Sequence, residues 1–282
     1  MKVISYLKGI PIKNNKAEKK EILTYFIDGV NFRGDQGIVN NTFNIIDCDL
    51  AVLQGWVHEQ SKNLPHLQLR RNVLLNQKNK NKKTLVADSN LFLYLNKSNS
   101  PFHYIRYSFD DVFRNKGFYF DKDIDPDRWK KIQNDLQINV KDYRTNGSHI
   151  LFCLQRNGGW SMHGVNVIDL VTTIIAQIKR YTDRPIIIRG HPGDKKTTTV
   201  IQNKLKNVRF SNTEKLQDDL KNAWATLTYN SSPGVASLIE GIPVFQLDPN
   251  KGTSMYSEIA NFDLQKIERP EISDRQKWLE RI

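Results

Sequence analysis

The chain has 282 residues, 39% of them hydrophobic and 26% charged. That is length for one large or two modest domains, and a composition that excludes a disordered tail. Its 42 Lys and Arg against 30 Asp and Glu leave a formal net charge of +12, which disfavours a binder of cations and favours an anionic partner: nucleic acid, a phosphorylated metabolite or an anionic surface. The excess is uneven, since residues 62–83 hold seven basic residues and no acid. Cys48 and Cys153 are the only cysteines. Both stand in apolar surroundings and read as core thiols rather than a disulfide. No Cys/His cluster suggests a metal. No apolar run reaches about 18 residues, and the apolar run at the N-terminus is too short for a signal peptide. The expectation is a cytoplasmic protein with no membrane span.

In chain order, residues 2–7 read as a first strand and 16–32 as a helix with apolar residues at helical spacing. Residues 31–37 form a polar, turn-rich loop. A buried strand over 49–56, a helix over 66–75, a Lys/Asn run over 76–83 and a buried strand over 84–88 follow. Residues 101–121 are rich in aromatics and Gly. Asp125-Pro126 starts a helix, with Pro in its first turn. The segment 137–149 reads as a linker.

The second half alternates more plainly. A strand over 150–154 leads into the glycine-rich loop 155–164, an amphipathic helix over 165–181 and a strand over 185–189 that ends in Gly190-His191-Pro192. A short strand over 208–210, a helix over 214–222, a strand over 225–229, a turn over 230–234, a helix over 235–240 and a strand over 243–247 complete the pattern. Residues 278–282 read as part of a helix. Strands alternating with helices argue for parallel sheets with crossover helices. The expected domains are 1–145 and 146–282.

Ligands of parallel α/β sheets sit beyond the carboxyl ends of the strands. Three second-half segments reach that edge with unusual chemistry. In Gln155-Arg156-Asn157-Gly158-Gly159, the glycines admit close backbone approach and Arg156 can meet a phosphate with a forked pair of bonds; an ordinary tight turn is the alternative. In Arg189-Gly190-His191-Pro192, a cation and an imidazole follow a very apolar strand, although a lone His is more often structural. In Asn230-Ser231-Ser232-Pro233-Gly234, small hydroxyl residues precede a helix start. They suit an anion site, and they suit plain N-capping equally well. Glu240, one helix length on, is either a ribose-binding carboxylate or a solvated helix-end charge.

The order strand–Gly-rich loop, strand–His191-Pro192, then Asn230-Ser231-Ser232-Pro233-Gly234 running on to Gly241-Ile242-Pro243-Val244 is similar to the nucleotide-binding half of GT-B glycosyltransferases. The nearest likeness is to the capsule polysaccharide biosynthesis glycosyltransferase group. Residues 150–249 carry the resemblance and residues 1–140 follow it only in outline. It implies an α/β protein of two Rossmann-like domains facing a cleft. It also implies that Arg189, His191, Asn230, Ser231, Ser232 and Gly234 surround the donor diphosphate of a UDP- or CMP-sugar, with no further cofactor and no metal required.

An inverting transferase also needs a base for the acceptor hydroxyl. The first-half candidates are Asp88 at a strand end, Asp35 in the loop Arg33-Gly34-Asp35-Gln36-Gly37, and His58 or Glu59. Each is otherwise a solvated loop group, or for Asp88 a helix cap. The basic run is a solvated face or an acceptor surface. As an acceptor surface it points to Arg70, Arg71, Lys78, Lys80, Lys82 and Lys83 holding an anionic acceptor. Hydroxymethylated DNA, as in the DNA glycosyltransferases of bacteriophages, is the first choice, which would place the protein in a phage-infected host. A capsule-type surface glycan is the second, and a non-catalytic nucleic-acid binder on the same fold is the third. Phe102, Tyr104, Tyr107, Phe109, Phe113, Phe118, Tyr119 and Phe120 are read mainly as core, with base or sugar stacking as the alternative.

Overall fold

The computed structural model describes residues 1–10, 18–55, 64–88, 91–95, 104–113, 117 and 125–281. Two compact units emerge: Met1–Leu91 with His103–Tyr119, and Phe92–Phe102 with Phe120–Ile282.

In the first unit, β1 (Lys2–Tyr6), β2 (Gln36–Asn40), β3 (Leu50–Gln54), β4 (Lys83–Ala87) and β5 (Tyr107–Phe109) form one sheet in the order β2-β1-β3-β4-β5. The first four strands are parallel, and β5 runs antiparallel to β4. Successive side chains of a strand point to opposite faces. Val3 and Leu7 therefore cluster with Leu23 and Ile27 of α1 (Glu18–Phe32), while Ile4 and Tyr6 cluster with Leu69 and Val73 of α2 (Pro65–Asn79). Both faces are covered, as a parallel sheet requires. β2 begins inside the stretch that the sequence reads as a loop. Only Ile38 and Val39 give it apolar character, which suffices for an edge strand.

The second unit is all parallel. β6 (His149–Cys153), β7 (Ile186–Arg189), β8 (Arg209–Phe210), β9 (Ala223–Thr228) and β10 (Val244–Gln246) take the order β10-β9-β6-β7-β8. Ile150 and Phe152 pack with Val171, Ile175 and Ile178 of α4 (Val167–Ile178); Leu151 and Cys153 pack with Leu220 of α6 (Leu216–Leu220) and Ala236 of α7 (Pro233–Ile239). Both thiols are free and buried. The stretch 125–145, assigned to the first domain from sequence, packs with the second unit. Trp129 of α3 (Pro126–Leu136) meets the Phe92 ring at 6.3 Å, Arg128 donates to the Glu280 carbonyl at 3.0 Å, and the Lys141 N–H donates to the Ile239 carbonyl at 2.9 Å. Among the described residues no helix is long and apolar enough to cross a membrane.

Candidate functional site

Of the five loops that leave the carboxyl edge of the second sheet, four concern the site, and polar side chains lace three of these together. Gln155, after β6, donates from Nε2 to the Asn230 Oδ1 at 2.8 Å and accepts the Asn230 backbone N–H at 2.9 Å. Asn230, after β9, donates from Nδ2 to the Ser161 carbonyl at 3.0 Å and to Asp248 Oδ2 at 2.9 Å. Asp248, after β10, is 0% exposed and also accepts from the Asn250 backbone at 3.0 Å. His163, held at a φ of 50°, sets its Nε2 3.7 Å from Asp248 Oδ2. The fourth loop joins through Asp194. Its carboxylate accepts from the Asn157 N–H at 2.9 Å and caps α5 (Lys195–Lys204) through the Thr197 N–H at 3.2 Å. Asn157 in turn accepts the N–H of Val167, the first residue of α4, at 3.1 Å. Gln155, Asn157 and Asn230 are thus committed to holding the loops, a role that sequence reading assigned to none of them. His163, Asp194 and Asp248 were not singled out at all.

What the brace leaves exposed is a set of donors. The Arg156 side chain is exposed and makes no ion pair or hydrogen bond among the described residues, and its charge is felt at His191 and Asp194. His191 accepts the Gly193 N–H at Nδ1, 3.0 Å away. Its neutral ring therefore carries the proton on Nε2 and offers it as a donor. Burial lowers the His191 pKa, and Arg156 adds to this against the pull of Asp194, so the neutral donor form prevails near pH 7. Gly158 stands in an exposed turn at a φ of 68°.

Ser232 precedes α7 without making a capping bond, so the helix start does not consume its hydroxyl. The Tyr256 ring lies directly against Gly234, and any Cβ there would collide with it. Close approach explains the glycine.

Two residues expected at the donor site are engaged elsewhere. Arg189 spends its guanidinium on the protein: it donates to the Asp219 carboxylate, to Thr213 Oγ1 at 3.0 Å and to the Glu214 carbonyl at 2.8 Å. Glu240 is the C-cap of α7 and pairs with Lys141. A seven-residue helix spans about 10 Å, and α7 runs back from the carboxyl edge, so Glu240 lies at the opposite end from Ser232.

In the first unit, Asp88 follows β4 at the carboxyl edge. Its Oδ2 accepts from Arg106 Nε at 3.0 Å and from Arg106 Nη2. Asp35 precedes β2 at the amino edge instead, where it pairs with the N-terminal amine at 2.6 Å; it is not in an open loop. The lysines of the basic run also lie at the amino edge and are largely neutralised. Lys80 meets Asp47 at 2.9 Å, Lys82 meets Asp47 at 3.5 Å and Asp49 at 3.6 Å, and Lys83 meets Asp110 at 2.6 Å. Lys78 is exposed, Arg71 half-buried, and Arg70 buried. Among the aromatics, Phe113 is core and Tyr107 is exposed. His58, Glu59, Phe102, Phe118, Tyr119 and Phe120 lie outside the described residues. Among the described residues no group of three or more His, Cys, Asp or Glu is disposed to hold a metal ion.

No family model and no curated protein matches the sequence. Solved structures do match the fold. Two from Thermosulfurimonas dismutans KpsC, a beta Kdo 2,7 transferase and a beta Kdo 2,4 transferase, align with TM-scores of 0.52 and 0.51 at 12% and 13% identity, over 99% of this chain and 89% of each of theirs. A UDP-GlcNAc 2-epimerase of Methanocaldococcus jannaschii, solved with UDP-GlcNAc and UDP, aligns at a TM-score of 0.36 and 14% identity over 96% of this chain and 81% of its own. The architecture is that of GT-B glycosyltransferases: two Rossmann-like α/β domains.

Proposed function

We propose that the protein is a metal-independent glycosyltransferase that moves a sugar from a nucleotide-sugar donor to a hydroxyl of an anionic, capsule-type glycan. One observation carries the reading: His191 is fixed as a neutral Nε2–H donor beside the uncommitted Arg156, at the carboxyl edge of an all-parallel sheet. The fold shared with the KpsC transferases supports it.

In the transfer, the bond between the anomeric carbon and the phosphate oxygen breaks. The nucleotide leaves with the electron pair, and the acceptor oxygen bonds to the anomeric carbon. Charge grows on the leaving phosphate, where Arg156, His191 Nε2–H and the Ser231 and Ser232 hydroxyls offer fixed stabilisation. The acceptor proton goes to Asp88 of the first unit. Hydroxymethylated DNA is the less supported acceptor, because the lysines that would meet its phosphates are paired with Asp47, Asp49 and Asp110.

The test is nucleotide release from UDP- and CMP-sugars in EDTA, with an acidic oligosaccharide, with hydroxymethylated DNA and with neither. Release that depends on the oligosaccharide supports the reading. Release only with DNA moves the acceptor to DNA. Equal release without acceptor, or none from any donor, defeats the transferase reading.

A further inference from the structure

Arg70 is 8% exposed, yet its guanidinium has no carboxylate and no hydrogen-bond acceptor among the described residues. Burying a charge without a partner is costly, and proteins almost always pair it. Arg70 lies on α2, whose start stands at the carboxyl edge of the first sheet. His66 precedes it by four residues, so the two share a helix face.

Two glycine loops border that face, and the first of them makes room for it. Gly9, after β1, has a φ of 77°, and a Cβ there would collide with the His66 side chain. Gly55, after β3, has a φ of 78°, and a Cβ there would lie 3.7 Å from Arg70 Nη1. The first turn of α2 has no acidic residue, and Leu64 at its N-cap supplies no side-chain cap. Positive helix potential, an imidazole and a guanidinium with no ion pair among the described residues converge there. Burial lowers the pKa of Arg70, and burial together with the Arg70 charge lowers that of His66.

We infer that Arg70, His66 and the first turn of α2 form an oxyanion pocket that takes the single carboxylate or phosphate group of an anionic acceptor. A forked guanidinium suits either oxyanion. The pocket differs from the exposed lysine run: it is a discrete site for one group, at the opposite edge of the sheet. Assigning its ligand to the acceptor rests on the transferase reading; the pocket does not.

The test follows the His66 ring signals by NMR, identified through His66→Gln, while sodium phosphate or sodium acetate is added at ionic strength matched with chloride. In the wild-type chain the His66 signals are expected to shift and saturate with phosphate, with acetate, or with both, and the stronger anion names the group. Arg70→Met is expected to abolish that shift and, by removing an unpaired buried charge, to raise Tm by about 2–4 °C. Arg70→Lys keeps the charge without the fork and is expected to weaken binding at least about tenfold; it serves if the Met variant does not fold. No saturable shift in the wild-type chain, or an unchanged shift in the variants, overturns the pocket. Nucleotide-sugar binding is measured separately on the same samples. A shift at His66 without nucleotide binding would keep the pocket and defeat the transferase reading, and the reverse result would do the opposite.

Discussion

Arg189 and Asp219 form an ion pair at the carboxyl end of β7, with side chains 20% and 5% exposed. Ser211 Oγ adds a second donor to the same carboxylate at 2.7 Å. The pair ties α6, and through Ser211 the loop after β8, onto the end of β7. It explains why a cation ends a strand otherwise made of isoleucine, and it withdraws Arg189 from the donor site. Removing one partner of a buried pair strands the other charge, at a cost of about 3–5 kcal/mol. Arg189→Met is therefore expected to lower stability by that amount in urea denaturation, while nucleotide affinity of the folded protein changes less than about threefold. A variant of normal stability that no longer binds nucleotide would return Arg189 to the donor site.

Asp219 also takes part in a pH-sensitive contact. His149 donates from Nε2 to the Asp219 carbonyl at 3.0 Å, leaving Nδ1 facing Ser148 Oγ at 3.0 Å. Burial lowers its pKa, against the opposing pull of Asp219. The folded state then binds fewer protons than the unfolded one, so stability is present above the unfolded histidine pKa of about 6.5 and is lost as pH falls through it. His66 and His191 are lowered too and act in the same direction. The urea midpoint is expected to drop between pH 7 and pH 5, and His149→Gln to flatten that drop. Parallel pH profiles for the two proteins would remove His149 as a cause.

Much of this was readable from the sequence because it is local. β6, β7, β9 and β10 are apolar runs ended by polar turns, and α4 repeats its apolar residues at helical spacing. The edge that carries Arg156, His191 and Ser232 follows from strand order alone. Partners remote in sequence were not readable. Asp248 meets Asn230 across 18 positions and Asp219 meets Arg189 across 30; no spacing rule links them. The basic run looked uncompensated because Asp47, Asp49 and Asp110 lie outside it in sequence and beside it in space. Edge strands β2 and β5 are too short and too polar to show an alternating pattern.

That compensation carries its own expectation. Exposed ion pairs contribute about 0–1 kcal/mol, so replacing Lys80, Lys82 and Lys83 together by Ala is expected to change stability little. Acceptor KM should stay within about twofold for an anionic glycan. A DNA acceptor held by these residues would instead lose about one unit of salt slope per lost phosphate contact. Acceptor kinetics across a salt series, on the wild-type and triple-Ala chains, separate the two.

Asp88 is the acid at the carboxyl edge of the first sheet that its surroundings fix in one orientation. Arg106 donates twice to Oδ2, and the Asp88 backbone N–H is tied to the Arg106 carbonyl at 2.8 Å. Among the described residues nothing bonds Oδ1, so one oxygen is oriented and the other is left to take a proton. Asp88→Asn keeps the shape and removes the base. As a general base Asp88 would contribute about 10²–10⁴-fold, so kcat and kcat/KM should fall together by that factor with donor affinity unchanged, the pattern of an interaction made only in the transition state. Arg106→Lys, which keeps charge but loses the double donation, should lower kcat by a smaller factor. If Asp88→Asn keeps more than about a tenth of the activity, the base lies elsewhere and Asp88 serves only to hold β5 against β4.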